Sequence, residues 1–103
     1  MNIVAVSACA AGIAHTYMSA EALKKSAREA GDEIKIEIQG SMGIENRLTQ
    51  EEIDKADLVI FAVNITVEHR DRFVGKDPVT IDPGKFIANG AKALQKAKDM
   101  AKK

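Results

Sequence analysis

The sequence has little of what several classes of protein require. Its 103 residues include one cysteine and two prolines, and fifteen Lys and Arg side chains balance fifteen Asp and Glu side chains. A single cysteine excludes an internal disulfide and argues against a structural zinc site, so we expect neither a metal nor a cofactor. Zero net charge provides no general attraction to nucleic acid or to an anionic membrane surface.

Long apolar runs are also missing, since none approaches the roughly 18 residues that a membrane span needs. The N-terminus lacks the basic flank and the small-residue cleavage site of a signal peptide. We therefore expect a soluble, cytoplasmic protein that does not insert directly into a membrane. A chain of 103 residues supports one hydrophobic core, so we predict a single domain over residues 1–103 without a cleft between two domains.

Four apolar segments predict β-strands. They are expected at residues 3–6, 34–38, 58–63 and 78–81, with the second at an edge of the sheet because isoleucines alternate there with polar side chains. An apolar stripe at intervals of three and four residues predicts a helix between the first two strands, and Gly31 ends it. The stripe consists of Ile13, Tyr17, Ala20, Leu23, Ala27 and Ala30.

Two further helices and two loops complete the predicted elements. Thr49 and Glu52 fit a capping box that begins a short helix, and Asp82 begins a final helix that runs to the C-terminus. The predicted buried stripe of that final helix is Ile87, Ala91, Leu94, Ala97 or Lys98, and Ala101. Residues 40–43 are expected to form a loop. Residues 64–76 predict a functional loop with room for one helical turn, anchored by Phe73.

Alternation of strands and helices implies parallel strands joined by right-handed crossovers. We therefore predict an α/β fold, a three-layer α/β/α domain with a four-stranded parallel open sheet in the order 2-1-3-4. Ligands bind at the carboxyl ends of the strands in such sheets. Cys9, residues 39–43 and the segment from Asn64 onward should all emerge at that edge.

Cys9 follows the first predicted strand and precedes the first predicted helix. The free amides and partial positive charge of a helix N-terminus favour a thiolate, which is the nucleophilic form. Ala10, Ala11 and Gly12 are small, so backbone N–H groups can approach a bound anion closely. The pattern favours phosphoryl chemistry on sulfur, although a lone cysteine also packs commonly as a small buried hydrophobe.

His15 stands six residues after Cys9. Low-molecular-weight tyrosine phosphatases use a similar strand, loop and helix but have an arginine at that spacing. The bidentate guanidinium suits hydrolysis, which also needs an acid to protonate the leaving oxygen. Neither role is plainly filled here. A loop that accepts a phosphoryl group without promoting attack by water would pass the group on to another acceptor.

Three segments in order carry a family resemblance. They are CAAGIAHTYM at 9–18 with EAL at 21–23, QGSMG at 39–43 with EN at 45–46, and RF at 72–73 with GK at 75–76. Together they resemble the fructose-type enzyme IIB of the bacterial phosphoenolpyruvate-dependent sugar phosphotransferase system (PTS), over nearly the whole chain.

The resemblance implies a phosphoryl carrier with protein-phosphohistidine–sugar phosphotransferase activity. Phosphorylated enzyme IIA would pass the group from its histidine to Cys9, which would give it to fructose or a fructose-like sugar at the membrane enzyme IIC. The protein would then associate with the inner face of the membrane through enzyme IIC. The resemblance also implies a phosphate cradle in the loop after the cysteine, formed here by Ala10, Ala11, Gly12, Ile13, Ala14, His15 and Thr16.

The chain departs from the family pattern at two places. The family loop often has proline directly after the cysteine and Thr or Ser next, where this chain has Ala10 and Ala11. Loop rigidity and a hydroxyl hydrogen bond are therefore not implied. An aspartate often stands near the position of Asn64, so an acidic role there is not implied either.

Several other residues are candidates for the site or for partner binding. His15 is expected to hydrogen-bond the phosphoryl group or Cys9, and Thr16 either donates to the thiolate or caps the helix backbone. Gly40 and Gly43 are predicted as turn residues, with contact to a partner as the alternative role. Gly40 and Ser41 are the candidates for that contact. Arg70 and Arg72 are candidates for contact with acidic groups of enzyme IIA.

Two other functions remain open at this point. The strand, loop and helix around Cys9 also fit a small cysteine phosphatase or a related reductase. The replacement of the usual loop residues by Ala10 and Ala11 fits a non-catalytic regulatory domain with the same fold.

Overall fold

A mixed β-sheet forms the middle layer of the protein. The computed structural model describes residues 1–41 and 43–101. The strands are β1 (Asn2–Ala8), β2 (Glu33–Gly40), β3 (Gly43–Glu45), β4 (Leu58–Val63) and β5 (Val79–Ile81). They lie in the order β3-β2-β1-β4-β5, and every pairing is parallel except the antiparallel one between β2 and β3.

The predicted sheet of four strands is therefore wrong in detail. The four parallel strands lie in the predicted order. A further strand, β3, turns back from the end of β2 and adds an antiparallel edge to the sheet, with Gln39 opposite Ile44. The three residues of β3 contain one apolar side chain, so the sequence has no alternating pattern that would predict this strand. The edge position predicted for the second strand is wrong for the same reason. Met42, predicted in the loop, lies outside the described residues.

In residues 1–41 and 43–101, four helices and one 3₁₀ turn flank the sheet. They are α1 (Ile13–Glu29), α2 (Gln50–Lys55), the 3₁₀ turn (Arg70–Phe73), α3 (Pro83–Ala88) and α4 (Gly90–Ala101). None of these described helices is long and apolar enough to cross a bilayer. The capping box that begins α2 is confirmed, and so is the helical turn within the loop after β4.

The core lies on both faces of the sheet because β1 and β4 are apolar at nearly every position. On one face Ile3 and Ile60 pack with Leu23 of α1 and Phe86 of α3. On the other face Phe61 packs edge-on against Phe73, with ring centroids 4.9 Å apart. That contact confirms Phe73 as the anchor of the segment after β4.

The final helix is interrupted, which is a second correction. Asn89 adopts an extended conformation between α3 and α4, and its side chain accepts a hydrogen bond from the Lys92 amide, as an N-cap does. The break changes the helical phase, so the buried residues of the two helices are Pro83, Phe86, Ala93, Leu94 and Ala97. Of the predicted stripe, Leu94 and Ala97 are buried, whereas Ala91 and Ala101 are exposed. The last two lysines lie outside the described residues.

Candidate functional site

Cys9 occupies the tight loop between β1 and α1, at the carboxyl edge of the sheet. The loop closes with a hydrogen bond from the Gly12 amide to the Cys9 carbonyl, and Gly12 has φ of 116°. That backbone conformation is one that L side chains rarely adopt, so glycine suits this position. The cysteine is buried, with 8% of its surface exposed, and it lines an open depression at this edge.

Three nitrogen atoms surround the Cys9 sulfur. His15 Nδ1 lies 2.9 Å from Sγ, the Ala11 amide donates to it at 3.3 Å, and the Asn64 carboxamide nitrogen donates at 3.4 Å. A sulfur that receives N–H groups from several directions is stabilised as an anion. His15, which the sequence places at the phosphoryl group or at Cys9, is thus in direct contact with the thiol.

Asn64 fastens the cysteine loop to the end of β4. Its side-chain oxygen accepts a hydrogen bond from the Ala10 amide at 2.8 Å, while its nitrogen faces the sulfur. One carboxamide therefore both holds the loop and contributes a donor to Sγ. The Ala10 amide is occupied by this bond, which separates Ala10 from the other residues predicted to cradle phosphate.

The first turn of α1 presents backbone amides beside the sulfur. Within the described part of the chain, no hydrogen bond uses the amides of Ile13, Ala14 and His15, and the Thr16 amide is the first to bond within the helix, to the Gly12 carbonyl. The first turn of α1, all of which belongs to the described residues, contains no acidic side chain. Unpaired amides at a helix N-terminus bind anions, so this turn can hold phosphate oxygens.

Thr16 is engaged within the loop itself. Its hydroxyl donates to the Gly12 carbonyl, its own carbonyl accepts from the Ser7 hydroxyl at 2.9 Å, and the residue is 1% exposed. The sequence leaves two roles open for the Thr16 hydroxyl, a hydrogen bond to the thiolate or one to the helix backbone. In the structure the hydroxyl bonds to the backbone.

A groove of about 300 Å³ opens over the cysteine. Three segments that are distant in sequence form its walls, which confirms that they meet at one edge of the sheet. The lining residues are Cys9, Ala10, Gly12, Ile13, Thr16, Gln39, Gly40, Ser41, Ile65, Thr66 and Glu68.

Gly40 and Ser41 lie in the groove wall. A Cβ atom at Gly40 would stand 2.6 Å from the terminal Cδ1 atom of Ile13, the first residue of α1, whose half-exposed side chain would have to move. Ile13 and Tyr17, predicted in the buried stripe of the first helix, are instead 40% and 38% exposed, and Ile13 lines the groove. The helix buries Thr16 and Ser19 in their place.

The two arginines differ in their surroundings. The Arg70 side chain is exposed, with its guanidinium 6.0 Å from the centre of the Phe61 ring. The Arg72 side chain is only 10% exposed and grips Glu37 with both terminal nitrogens, at 2.7 and 2.9 Å. Its guanidinium is thus committed to an internal ion pair, and this geometry does not support the predicted contact with a partner.

Glu37 is a buried carboxylate that sequence reasoning missed. It is fully buried on β2 and accepts hydrogen bonds from Arg72, the Gln39 carboxamide and the Leu48 amide. Burial acts to raise the pKa of Glu37, but these donors outweigh burial and hold the pKa below its ordinary value. The available signal was the polar face of the second strand, which becomes internal once the segment after β3, at Leu48, and the segment after β4 cover it.

Comparisons with known sequences find relatives that are described as IIB components of the PTS. The family model described as "PTS system, Lactose/Cellobiose specific IIB subunit" matches residues 4–96. "PTS system fructose-like EIIB component 2" of Escherichia coli K12 is 49% identical over 81 residues, which are 79% of this chain and 76% of that protein. "PTS system fructose-like EIIB component 1" of the same strain is 42% identical over 99 residues, covering 96% of this chain and 92% of that protein.

Solved structures show the same likeness. The solution structure of an enzyme IIB subunit of the PTS from Escherichia coli K12 superposes with a TM-score of 0.86 at 41% identity, covering 96% of this chain and 92% of that one. A crystallised domain of the fructose-specific IIABC component of Borrelia burgdorferi gives a TM-score of 0.82 at 39% identity, covering 93% and 91%. These relatives are described as IIB components or as a domain of a IIABC component.

Proposed function

Because this chain belongs to the PTS IIB family and is of the fructose-like type, we propose that it carries a phosphoryl group on Cys9 between enzyme IIA and a sugar at enzyme IIC. The observation that carries the proposal is the placement of the only thiol. Its sulfur contacts His15, the Ala11 amide and Asn64, next to the unpaired amides of the first turn of α1. These groups suit both an anionic sulfur and a phosphoryl group bound to it.

The two transfers balance around this sulfur. In the first, Sγ attacks the phosphorus of a phosphohistidine on enzyme IIA; the S–P bond forms, the P–N bond breaks and the histidine nitrogen leaves with the electron pair. The proton of a resting thiol moves to His15 Nδ1, 2.9 Å away. In the second, a sugar hydroxyl attacks the phosphorus; the O–P bond forms and the S–P bond breaks with its electron pair on sulfur. The sulfur leaves as a thiolate that the same donors stabilise, and the proton lost by the hydroxyl restores the resting thiol.

The phosphate cradle in this proposal consists of the amides of Ala11, Ile13, Ala14 and His15. Gly12 shapes the loop, while Ala10 and Thr16 hold it through their bonds to Asn64 and to the Gly12 carbonyl. Partner contact falls on the groove wall at Gly40 and Ser41, and on the exposed Arg70 in the 3₁₀ turn that follows the far wall. The domain works on the cytoplasmic side, next to the membrane component.

Phosphoryl transfer from enzyme IIA tests the proposal. The protein is incubated with phosphorylated enzyme IIA, and the product is followed by intact-mass measurement and phosphorus NMR. We expect one phosphoryl group, in a thiophosphate linkage to Cys9, that persists until enzyme IIC and sugar are added. Absence of label on the wild type refutes the proposal. Rapid release of inorganic phosphate without an acceptor would favour a phosphatase instead.

Replacement of His15 tests the proton transfer separately. His15→Asn keeps a nitrogen donor near Sγ but cannot exchange a proton, so we expect transfer from enzyme IIA to slow by roughly a hundredfold, the lower end of the range for general acid–base catalysis. The matched control is His69→Asn, because His69 is exposed, lies outside the groove and has φ of 57°, which asparagine tolerates. Rapid-quench kinetics measure the rate of phosphoryl transfer from enzyme IIA in both variants and in the wild type. Equal rates in all three proteins would exclude proton transfer by His15.

A further inference from the structure

The far wall of the groove is a segment with no helix or strand of its own. Residues 64–69 connect β4 to the 3₁₀ turn, and Ile65, Thr66 and Glu68 of this segment line the groove opposite the cysteine loop. Most of its side chains are exposed, and Val67 alone is buried. A wall of this kind needs fastening from outside to keep one conformation.

Gln39 provides that fastening from the end of β2. Its side-chain oxygen accepts a hydrogen bond from the Glu68 amide at 2.9 Å, and its nitrogen donates to the Glu68 carbonyl at 3.1 Å. The carboxamide thus pairs with both backbone groups of one residue, as a neighbouring strand would. The side chain is buried with the rest of Gln39, which is 4% exposed, so water competes little for these bonds.

Glu37 and Arg72 hold Gln39 in turn. The second Glu37 oxygen accepts from the Gln39 nitrogen at 2.7 Å and from Arg72 at 2.9 Å. Arg72 also donates to the Glu68 carbonyl at 3.2 Å, so that carbonyl receives two donors. The network therefore runs without a break from a buried ion pair to the backbone of the groove wall.

We propose that Gln39, with Glu37 and Arg72 behind it, is a positioning residue that fixes residues 64–69 as the wall against which the phosphoryl donor docks. The proposal rests on the phosphoryl transfer proposed above. None of the three residues has a hydrogen bond to Cys9, so their effect is on docking rather than on the bond changes at sulfur. A wall that is already ordered spares the complex the entropy of ordering it at each encounter.

The variant Gln39→Met tests this proposal, since methionine fills a similar volume and makes neither bond to Glu68. We expect the KM for phosphorylated enzyme IIA to rise on the order of tenfold while kcat changes little, which is the signature of lost binding rather than lost chemistry. The Glu68 amide should exchange faster with deuterium. Alkylation of Cys9 by iodoacetamide should keep its wild-type rate, because Asn64 is fixed by the bond from its own amide to the Ala8 carbonyl and continues to hold the cysteine loop.

The matched control is Gln50→Met. Gln50 also donates to the segment after β4, to the Arg72 carbonyl at 2.9 Å, but it is exposed on α2 and does not line the groove. We expect its KM to equal that of the wild type. Equal rises in KM in both variants would assign the effect to general loosening and overturn the proposal.

Two other results decide the remaining cases. Faster exchange at Glu68 with an unchanged KM would show that docking does not use an ordered wall, which also overturns the proposal. Failure of the wild type to accept a phosphoryl group refutes the proposed function itself and is seen without any variant. If Gln39→Met does not fold, Gln39→Asn replaces it, because its side chain is one methylene too short to hold Glu68; the same rise in KM is expected.

Discussion

Replacement of Cys9 with serine is expected to abolish phosphoryl acceptance from enzyme IIA. The hydroxyl is a far weaker nucleophile than the thiolate at neutral pH, because a neighbouring base removes the proton of an alcohol much less readily than that of a thiol. We expect the rate to fall by more than about a hundredfold, which corresponds to about 2.7 kcal/mol of activation free energy. Intact-mass measurement after incubation with phosphorylated enzyme IIA detects the loss directly.

The fold of Cys9→Ser should survive, which keeps the result interpretable. A serine hydroxyl accepts hydrogen bonds from the Ala11 amide and from Asn64, as the sulfur does, and it forms a hydrogen bond with His15 Nδ1. Thermal unfolding should therefore stay close to that of the wild type. Undiminished label on this variant would place the phosphoryl group on another side chain, and the two histidines would be the first to examine by peptide mapping.

Arg72→Met is expected to give a large loss of stability. It leaves the fully buried Glu37 carboxylate without its cation, and removal of one partner from a buried ion pair costs about 3–5 kcal/mol. Urea unfolding measures the change in the free energy of unfolding. Small domains are stable by only about 5–15 kcal/mol, so this single change can unfold a large part of the population.

A double variant separates the ion pair from the shape of the side chains. In Glu37→Gln with Arg72→Met neither charge remains buried, so the loss should be smaller than the sum of the two single losses. The single variant Glu37→Gln completes the cycle. Strict additivity across the cycle would mean that the 2.7 Å contact contributes nothing specific to stability.

The ion pair also predicts the direction of the pH dependence. The pKa of Glu37 is lowered in the folded protein, so its contribution is fully present above the unfolded pKa of about 4.3 and is lost as pH falls through the folded pKa. The stability difference between the wild type and the double variant should shrink in that acidic range. Hydrogen bonds from Lys98 and Lys35 also lower the pKa values of Asp32 and Glu52, respectively. The contributions of these two carboxylates to the pH dependence cancel in the difference, because both proteins contain them.

Local patterns were sufficient for the larger elements and for the position of Cys9 at the carboxyl edge of the sheet. The apolar runs of β1 and β4 predict central strands because a strand buried on both faces needs apolar side chains at every position. The position of Cys9 between such a strand and a helix correctly predicts the edge of the sheet at which the groove lies. The same patterns fail at β3 and at Asn89, where the outcome depends on a three-residue pairing and on one residue leaving the helix.

Arg72 is the residue whose environment the sequence least revealed. A lone arginine in a polar loop suggests solvent or a partner, and nothing near it in sequence indicates a buried carboxylate. Its partner, Glu37, lies 35 residues away on β2. The pairing exists because the segment after β4 folds back across the sheet, so that the polar face of β2 becomes an interior surface.

The sequence by itself determined where the strands and helices form around the single thiol, because those depend on side-chain periodicity and on helix-end residues close to one another in the chain. Only the tertiary structure decided which distant groups complete the site. The bond from Ala10 to Asn64 spans 54 residues, and that from Glu68 to Gln39 spans 29. Such contacts follow from strand order and register, which bring carboxyl ends together whatever their separation in the chain.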